Sequence, residues 1–201
     1  MKHSTGKNRA VFLDRDGTLN EDVHFLDSVE NLRLIPGAIE AVRIFNQLNM
    51  KVVVVSNQSG IARGYFDEDT VKEIHQAMAQ RFLQSGARID AFYYCPHHPE
   101  YGNPPYQQQC YCRKPNPGML LSAAEELDIG FPSSYMVGDK LSDIETGKRV
   151  NLFTILVLTG KGSVEAKRMQ SDLTLPQADV VVQDILEAAR FISEREQVSH
   201  S

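Results

Sequence analysis

Two aspartates, Asp14 and Asp16, end an apolar run near the start of the chain, VFLDRDGT. Side chains two apart in an extended segment point to the same side, so the two carboxylates would lie close together. Neighbouring carboxylates repel unless a cation neutralises them or one of them is protonated. The pair therefore suits a hard cation such as Mg²⁺, or a reaction in which one carboxylate attacks and the other transfers a proton. A lone aspartate more often caps a helix or a turn, and partners farther along the chain must decide.

A second group of reactive side chains lies in the middle of the chain. All three cysteines, Cys95, Cys110 and Cys112, fall in one short stretch with His97. Three thiolates and one imidazole complete a tetrahedral zinc shell with no position left for water, so the ion would be structural. His98 is an alternative to His97 as the fourth ligand. The alternative for the whole group is three buried free thiols beside surface histidines.

The composition limits the kind of protein. With 201 residues, 42% of them hydrophobic, the chain can bury one core, and no linker or repeat divides it. We predict one domain over residues 10–195, with a polar extension at 1–9 and a flexible tail at 196–201. The formal net charge of −5 disfavours nucleic acid as a partner. No apolar stretch could span a bilayer and the N-terminus has no signal-peptide core, so we expect a cytoplasmic protein without a membrane partner, most simply a monomer.

Short apolar runs alternate with longer amphipathic segments. The run VVVV at 52–55 does not alternate with polar residues, which indicates a strand buried on both faces, as in a parallel sheet. Strands alternating with helices predict right-handed crossovers and an α/β fold, a doubly wound parallel sheet with helices on both faces. We predict strands at 11–14, 51–56, 89–94, 135–137, 153–157 and 180–182, and helices at 36–48, 67–85, 117–128, 141–150 and 184–194.

Polar side chains follow three of these strands. Asp14 and Asp16 end the first, Ser56 ends the second and Asp139 follows the fourth. Ligands of open parallel sheets bind beyond the carboxyl ends of the strands, so these side chains should meet in one crevice. This coincidence favours a catalytic site over separate capping roles. The glycine-containing stretch at 159–163 lacks the full spacing of a phosphate loop and is predicted to be a loop near that crevice.

The same residues match, in order, the motifs of a known family. The segment 14–19, DRDGTL, resembles the opening D-x-D-G-[TV] motif of the haloacid-dehalogenase-like phosphatases. Ser56 resembles the Ser/Thr of their second motif and Lys114 the motif lysine, while Asp139 and Asp143 resemble the last acidic motif. Any one match is weak, but four in the right order between residues 11 and 162 are specific.

The resemblance implies a division of labour. Asp14 would attack the phosphorus and form an aspartyl-phosphate, and Asp16 would protonate the leaving alkoxide and later take a proton from water. Ser56 and Lys114 would bind the phosphoryl oxygens, whose charge needs positioned donors. Asp14, the main-chain carbonyl of Asp16, and Asp139 would hold Mg²⁺. The last aspartate of the acidic motif would support the site from behind or, alternatively, cap the following helix.

The Cys/His pattern indicates a smaller group within this family. Within this framework it is shared by the D-glycero-D-manno-heptose-1,7-bisphosphate 7-phosphatases and the histidinol-phosphate phosphatases, and the stretches SNQSGIARGYF, YYCPHHPE and CRKPNPGMLL resemble the heptose subgroup. The resemblance implies a Mg²⁺-dependent phosphomonoesterase acting on a small sugar phosphate, whose product could enter lipopolysaccharide or another glycoconjugate. Histidinol-phosphate hydrolysis remains an alternative, as does a non-catalytic, zinc-stabilised binding module.

No insertion is long enough for a separate cap domain, so short loops would have to shape the pocket. Arg113 stands between the zinc ligand Cys112 and Lys114, which favours contact with substrate over a free surface charge. Specificity would then depend on a few polar contacts. The predicted substrate-binding residues are Asp22, Asn57, Gln58, Ser59, Arg113 and Lys140.

Overall fold

Six parallel strands form one sheet in the computed structural model, which describes residues 7–198. The strand order is β3-β2-β1-β4-β5-β6, so the order along the sheet reverses between β1 and β4. The strands are β1 (Ala10–Leu13), β2 (Lys51–Asn57), β3 (Ala91–Cys95), β4 (Tyr135–Gly138), β5 (Phe153–Val157) and β6 (Val180–Val182). The helices are α1 (Ala38–Gln47), α2 (Glu68–Gln84), α3 (Gly118–Glu126), α4 (Leu141–Arg149), α5 (Gly162–Ser171) and α6 (Ile185–Val198).

The central strands are buried on both faces, as the run of four valines predicts. Val52 and Val54 pack into the larger hydrophobic cluster, with apolar residues of α1, α2 and α6. Val53 and Val55 face the opposite side and pack with residues of α3. Since neighbouring residues of a strand point to opposite faces, this division requires helices on both sides of the sheet. The doubly wound parallel α/β fold is therefore confirmed.

One helix was absent from the sequence prediction. Residues 159–163 were predicted to be a loop near the site, but α5 begins at Gly162, within that stretch, and runs to Ser171. Its segment is short and mostly polar, and only Gly162, Ala166 and Met169 are buried, so the periodic apolar signal is weak.

Both ends of the described part of the chain make hydrogen bonds to the rest of the domain, and the predicted extension at 1–9 and tail at 196–201 stay predictions. Helix α6 continues to Val198 rather than ending at 194, and Tyr135 donates a hydrogen bond to Glu196, at 2.7 Å. Asn8 is also tied to the domain, because its amide donates to the carbonyl of Asp128 at 2.7 Å. Residues 1–6 and 199–201 lie outside the described residues. Within 7–198, no helix is both long enough and apolar enough to cross a bilayer.

Candidate active site

Three carboxylates lie together where the strand order reverses. Asp14 follows β1, Asp139 follows the neighbouring β4, and Asp143 stands in the first turn of α4. One carboxylate oxygen of each lies within 4.8 Å of the others, and all three residues are buried. Gly17 allows this approach: its φ is +92°, and a β-carbon there would collide with the Asp139 carboxylate.

Two lysines neutralise this cluster. Lys114 Nζ lies 2.8 Å from Asp14 Oδ1 and 2.6 Å from Asp143 Oδ1. Lys140 Nζ donates to Asp14 Oδ2 at 3.0 Å and to the main-chain oxygen of Asp16 at 2.9 Å. Lys140 Nζ also lies 3.3 Å from Asp139 Oδ1. The Lys140 ammonium therefore contacts the three groups that the sequence assigns to Mg²⁺.

Burial and the nearby lysines shift the pKa values of the aspartate carboxyl groups in opposite directions. Burial alone would raise the pKa of Asp14, but the ammonium groups of Lys114 and Lys140 outweigh it and hold that pKa well below its usual range. For Asp139, burial and the nearby charge of Asp14 win and raise the pKa to about 8. The lowered pKa keeps Asp14 ionised at neutral pH, whereas the raised pKa of Asp139 favours its protonated form.

Arg15, the residue between the two aspartates, holds Asp16. Its guanidinium is fully buried and donates to both carboxylate oxygens of Asp16, from Nη2 at 3.0 and 2.8 Å. Burial would raise the pKa of Asp16, but the charge and hydrogen bonds of Arg15 keep it below its usual value. His75 faces Arg15 from α2, 3.3 Å from Nη1, and burial lowers its pKa to about 3. The sequence analysis assigned no role to Arg15 or His75; a charged residue inside the D-x-D motif was the available signal.

The polar residues at the end of β2 and just after it form hydrogen bonds to other groups of the protein. The Gln58 amide donates to Ser56 Oγ at 2.7 Å and to Asp16 Oδ2 at 3.0 Å. Asn57 exchanges two hydrogen bonds, both of 3.0 Å, with the main chain of Lys114. Asn57, Gln58 and Ser59 line the cavity beside the carboxylates. Asn57 and Gln58, predicted to contact substrate, thus also hold the backbone of Lys114 and the side chain of Asp16 in place.

Asp143 makes contacts that fit both of its alternative roles. Its Oδ2 accepts a hydrogen bond from the Lys140 amide at 3.0 Å, which caps the start of α4. Its Oδ1 lies 2.6 Å from the Lys114 ammonium, and Asp143 itself is fully buried and does not line the cavity.

The three cysteines and His97 also lie close together in the structure. The Sγ atoms of Cys95, Cys110 and Cys112 lie 3.2–3.4 Å apart, and His97 Nδ1 is 3.4 Å from Cys112 Sγ. All four candidate ligand atoms lie within 4.8 Å of one another, close enough to bind one metal ion. His98 Nδ1 instead accepts main-chain hydrogen bonds from Glu100 and Tyr101, at 3.1 and 3.2 Å. The structure therefore favours His97 as the fourth ligand of a tetrahedral ion.

The zinc loop, residues 95–112, is joined to the active site by Arg113. The Arg113 guanidinium donates to the His97 carbonyl at 3.1 Å and lines the cavity. On the outer side, Tyr106 donates to Glu68 Oε1 at 2.8 Å, and Tyr94 of β3 donates to Glu68 Oε2 at 2.7 Å. The loop is thus attached both to the sheet and to the start of α2.

The cavity above Asp14 measures about 270 Å³. It brings together Asp14, Asp16, Ser56, both lysines and Arg113, and it also contains Asp22. The sequence analysis did not single out Lys161, which lines the cavity and whose amide donates to Asp139 Oδ2 at 2.8 Å. Phe25 and His24 provide a ring surface on one wall.

Sequence and structure comparisons agree with this site. The profile of the HAD-hydrolase-like family matches residues 111–188. The D-glycero-β-D-manno-heptose-1,7-bisphosphate 7-phosphatase of Pasteurella multocida is 45% identical over 83% of this chain and 91% of its own length. The enzyme of that name from Escherichia coli K12 is 45% identical over 76% of this chain and 80% of its own length.

A solved structure extends the likeness to three dimensions. The D,D-heptose 1,7-bisphosphate phosphatase of B. bronchiseptica, complexed with magnesium and phosphate, aligns with a TM-score of 0.83 and 32% identity, over 93% of this chain and 99% of that chain. The chain belongs to the haloacid-dehalogenase-like phosphatase family, in the branch that contains these heptose-bisphosphate phosphatases.

Proposed function

We propose that this protein is a Mg²⁺-dependent phosphomonoesterase that removes the 7-phosphate of D-glycero-β-D-manno-heptose 1,7-bisphosphate. The observation that carries the chemistry is the ionised Asp14 carboxylate, held between Lys114 and Lys140 at the floor of an open cavity. The relatives named for that substrate carry its identity. The β-anomer follows from the names of the curated relatives, whereas the cytoplasmic location and the monomeric state stay predictions from the sequence.

The oxygen atoms around the Lys140 ammonium fit a hard cation. Asp139 Oδ1 is buried and accepts no hydrogen bond from any of residues 7–198, and Lys140 Nζ rests among Asp14, Asp139 and the Asp16 carbonyl as a cation would. Carboxylate and carbonyl oxygens are the ligands that Mg²⁺ prefers. Asp14, Asp139 and the main-chain oxygen of Asp16 would hold the ion. When bound, Mg²⁺ would neutralise charge on the phosphoryl group and orient it.

In the first half of the reaction, a carboxylate oxygen of Asp14 attacks the phosphorus and the bond from phosphorus to the sugar oxygen breaks. The leaving alkoxide takes a proton from Asp16. Lys114 and Ser56 lie beside Asp14 and donate hydrogen bonds to the phosphoryl oxygens. Asp16 must be protonated to act as the acid, so we infer that its carboxyl leaves Arg15 when substrate binds.

In the second half, water attacks the phosphorus of the aspartyl-phosphate and the bond to the Asp14 oxygen breaks. The ionised Asp16 takes the proton of that water. Arg15 and Asn20 stabilise the ionised form, since both donate to Asp16 Oδ1, at 3.1 and 2.9 Å. The arrangement in the structure therefore matches Asp16 as the base of this second step.

The second ligand set, formed by the three cysteines and His97, has a structural role. Zinc bound by Cys95, His97, Cys110 and Cys112 would order the loop that delivers Arg113 to the cavity. Because the four protein ligands complete a tetrahedron, no position would remain for a reacting water.

Two alternatives make different demands on the same cavity. A histidinol-phosphate phosphatase would need to bind a cationic amine beside the transferred phosphate, whereas Arg113 and Lys161 give this part of the cavity a positive charge. A non-catalytic binding module would not require a nucleophile, whereas Asp14, Asp16 and Lys114 all line this cavity and Lys114 donates a hydrogen bond to Asp14.

The test is phosphate release, with Mg²⁺, from both anomers of the heptose bisphosphate and from histidinol phosphate, assayed in parallel. We expect kcat/KM to be highest for the β-anomer. A higher kcat/KM for histidinol phosphate would contradict the proposed substrate. No release from any of the three would contradict the proposed function as a whole.

A further inference from the structure

A histidine stands on the apolar face of α2. The buried residues of this helix are Val71, Ile74, His75, Met78 and Phe82, which are spaced as one face of an amphipathic helix. His75 is the polar member of this set and is only 6% exposed. Burial of an imidazole costs free energy unless its nitrogen atoms have partners, so the partner of His75 indicates why a histidine stands there.

That partner is Arg15, the residue between the two aspartates of the opening motif. Arg15 Nη1 lies 3.3 Å from His75 Nε2. A guanidinium has no acceptor atom and does not deprotonate in proteins, so Nε2 must accept the hydrogen bond and the ring proton must lie on Nδ1. The lowered pKa of His75, caused first by burial and then by the charge of Arg15, agrees with a neutral ring. His75 is thus a neutral acceptor for a buried cation.

Two rings of β3 hold the imidazole in this orientation. Phe92 stacks on His75, with ring centroids 4.7 Å apart and an angle of 23° between the planes. Tyr94 meets the same ring edge-on, at 5.8 Å and 67°. Phe92 and Tyr94 are two apart on the strand and therefore lie on one face of the sheet. Packing against both restricts rotation of the imidazole, so Nε2 stays directed at Arg15.

The other partners of Arg15 belong to the reaction. Within residues 7–198, the guanidinium also donates to Asp16 and, from Nη2, to Gln58 Oε1 at 3.0 Å. Of these partners only Asp16 is charged. In the proposed mechanism, the Asp16 carboxyl leaves Arg15 to protonate the leaving group and returns to take the proton of water. While Asp16 is away, the buried guanidinium would keep only its two neutral acceptors.

The two neutral acceptors differ in their independence from Asp16. The Gln58 amide itself donates to Asp16 Oδ2 and to Ser56 Oγ, and Gln58 lines the cavity. Its orientation therefore depends on where Asp16 is and on what the cavity contains. His75 does not line the cavity, and its ring is fixed by β3. His75 is thus the partner of Arg15 that can stay in place throughout the reaction.

We propose that His75 is a positioning residue, which keeps the Arg15 guanidinium in place while the Asp16 carboxyl moves, so that Asp16 returns to Arg15 as the base of the second half of the reaction. The proposal rests on the proposed function, because it concerns hydrolysis of the aspartyl-phosphate. His75 itself would not touch the phosphate. Loss of its acceptor nitrogen would slow hydrolysis of the aspartyl-phosphate more than formation of that intermediate.

The experiment measures kcat and KM with Mg²⁺ and p-nitrophenyl phosphate, whose nitrophenolate leaves without needing a proton from Asp16. His75→Phe keeps a ring against Phe92 and removes the acceptor. We expect kcat to fall about tenfold, as for the loss of one hydrogen bond to a charged group. KM should fall in parallel and leave kcat/KM within about twofold of the wild type, because kcat/KM reports formation of the intermediate whereas kcat includes its hydrolysis. Rapid quenching should show a burst of nitrophenolate.

Three further variants separate this role from damage to the fold. The side-chain carbonyl of Gln can accept from Arg15 Nη1, so His75→Gln should restore kcat to within about threefold of the wild type. Phe82→Leu changes a buried residue on the same face of α2 and should lower the unfolding midpoint without changing KM. If His75→Phe does not fold, Phe92→Leu loosens the imidazole and should lower kcat and KM together by about threefold.

The remaining outcomes would overturn the proposal. One is an unchanged kcat in His75→Phe, and another is a fall of kcat and kcat/KM together at constant KM, which is the effect of a smaller folded fraction. If the wild type hydrolyses p-nitrophenyl phosphate but not heptose bisphosphate, the proposed substrate is wrong and the kinetic pattern still decides the role of His75. If it hydrolyses neither, the proposed function fails and the role of His75 fails with it.

Discussion

The cluster of three carboxylates and the cluster of three cysteines with His97 each bring their ligand atoms close enough to bind one ion, but different parts of the fold position them. Asp14 and Asp139 follow neighbouring strands of the core, and both are buried. In the thiol group only Cys95 ends a strand and is buried, whereas Cys110 and Cys112 are half-buried on a loop. One site is positioned by the sheet and the other by a loop of irregular backbone.

This difference indicates the role that each metal ion would have. Hydrogen bonds between β1 and β4 already hold two of the carboxylates, so a cation there would be needed for charge and for chemistry. The zinc loop has only an isolated bridge between His98 and Gln107, so its conformation would depend more strongly on the ion and on the contacts of Tyr106. We expect loss of Mg²⁺ to abolish activity with the fold intact, and loss of zinc to change the fold locally.

The largest expected effect is on turnover, at the sheet-built site. Asp14→Asn should lower kcat by about 10³-fold or more, because the amide cannot attack the phosphorus. The measurement is phosphate release from the heptose bisphosphate, with zinc content and the unfolding midpoint recorded alongside. Zinc content should stay at the wild-type level. Turnover within tenfold of the wild type would show that Asp14 is not the nucleophile.

The next effect is on the loop-built site. Cys112→Ser should lose most of the bound zinc and destabilise the zinc loop by several kcal/mol, because metal binding and ordering of the loop are coupled. Hydrogen exchange should accelerate in residues 96–112 and stay slow in β1 and β4. His98→Asn is the matched control and should retain zinc, since His98 lies outside the ligand set. Fast exchange throughout the sheet would remove the distinction between the two sites.

Binding of Mg²⁺ should depend on pH through Asp139. The pKa of Asp139 is raised to about 8 in the metal-free protein, so at pH 6 to 7 its carboxyl is protonated and must lose a proton to bind the ion. Affinity should therefore rise by about tenfold per pH unit up to about pH 8 and then level off. Calorimetry in two buffers of different ionisation enthalpy should detect release of about one proton at pH 6.5. Affinity independent of pH over this range would contradict the assignment.

A smaller effect is expected from Lys140, whose ammonium occupies the position proposed for the cation. Lys140→Met should bind Mg²⁺ about tenfold more tightly, because the ion no longer has to displace a positive charge from Asp14 and Asp139. Calorimetric titration measures this directly. Lys148→Met removes a lysine that pairs with Asp179, away from the site, and should leave the affinity unchanged. Weaker binding in Lys140→Met would mean that the lysine supports the ion.

The smallest effect concerns the attachment of the zinc loop. Glu68→Gln replaces the charged acceptor of two phenol hydrogen bonds, from Tyr94 and Tyr106, and should cost about 1 kcal/mol. We expect faster loss of zinc to a chelator. Glu126→Gln, on α3, replaces the charged acceptor of an equivalent hydrogen bond from Tyr93 of β3 and should not affect zinc release. Equal release rates for the two variants would show that Glu68 does not hold the loop.

Much of the carboxylate site could be predicted because its members directly follow strands. Asp14, Ser56 and Asp139 each stand at or just past a strand end, and parallel strands place such residues at one edge. The same logic could not reveal His75, which approaches Arg15 from the middle of α2. Its place is decided by how that helix packs, and an isolated histidine in a sequence gives no sign of this.

The parallel sheet, the sheet edge that carries the proposed site and the residue types of both ligand sets could all be predicted from the sequence alone. Periodicity and strand-end position are local properties, and they survive without knowledge of packing. Only the tertiary structure decided that Lys140 rests among the proposed Mg²⁺ ligands, that Asn57 holds the backbone of Lys114, and that Phe25 and Tyr65 meet at the cavity mouth. These contacts join loops far apart in the chain, and their geometry depends on how the crossovers pack on the sheet.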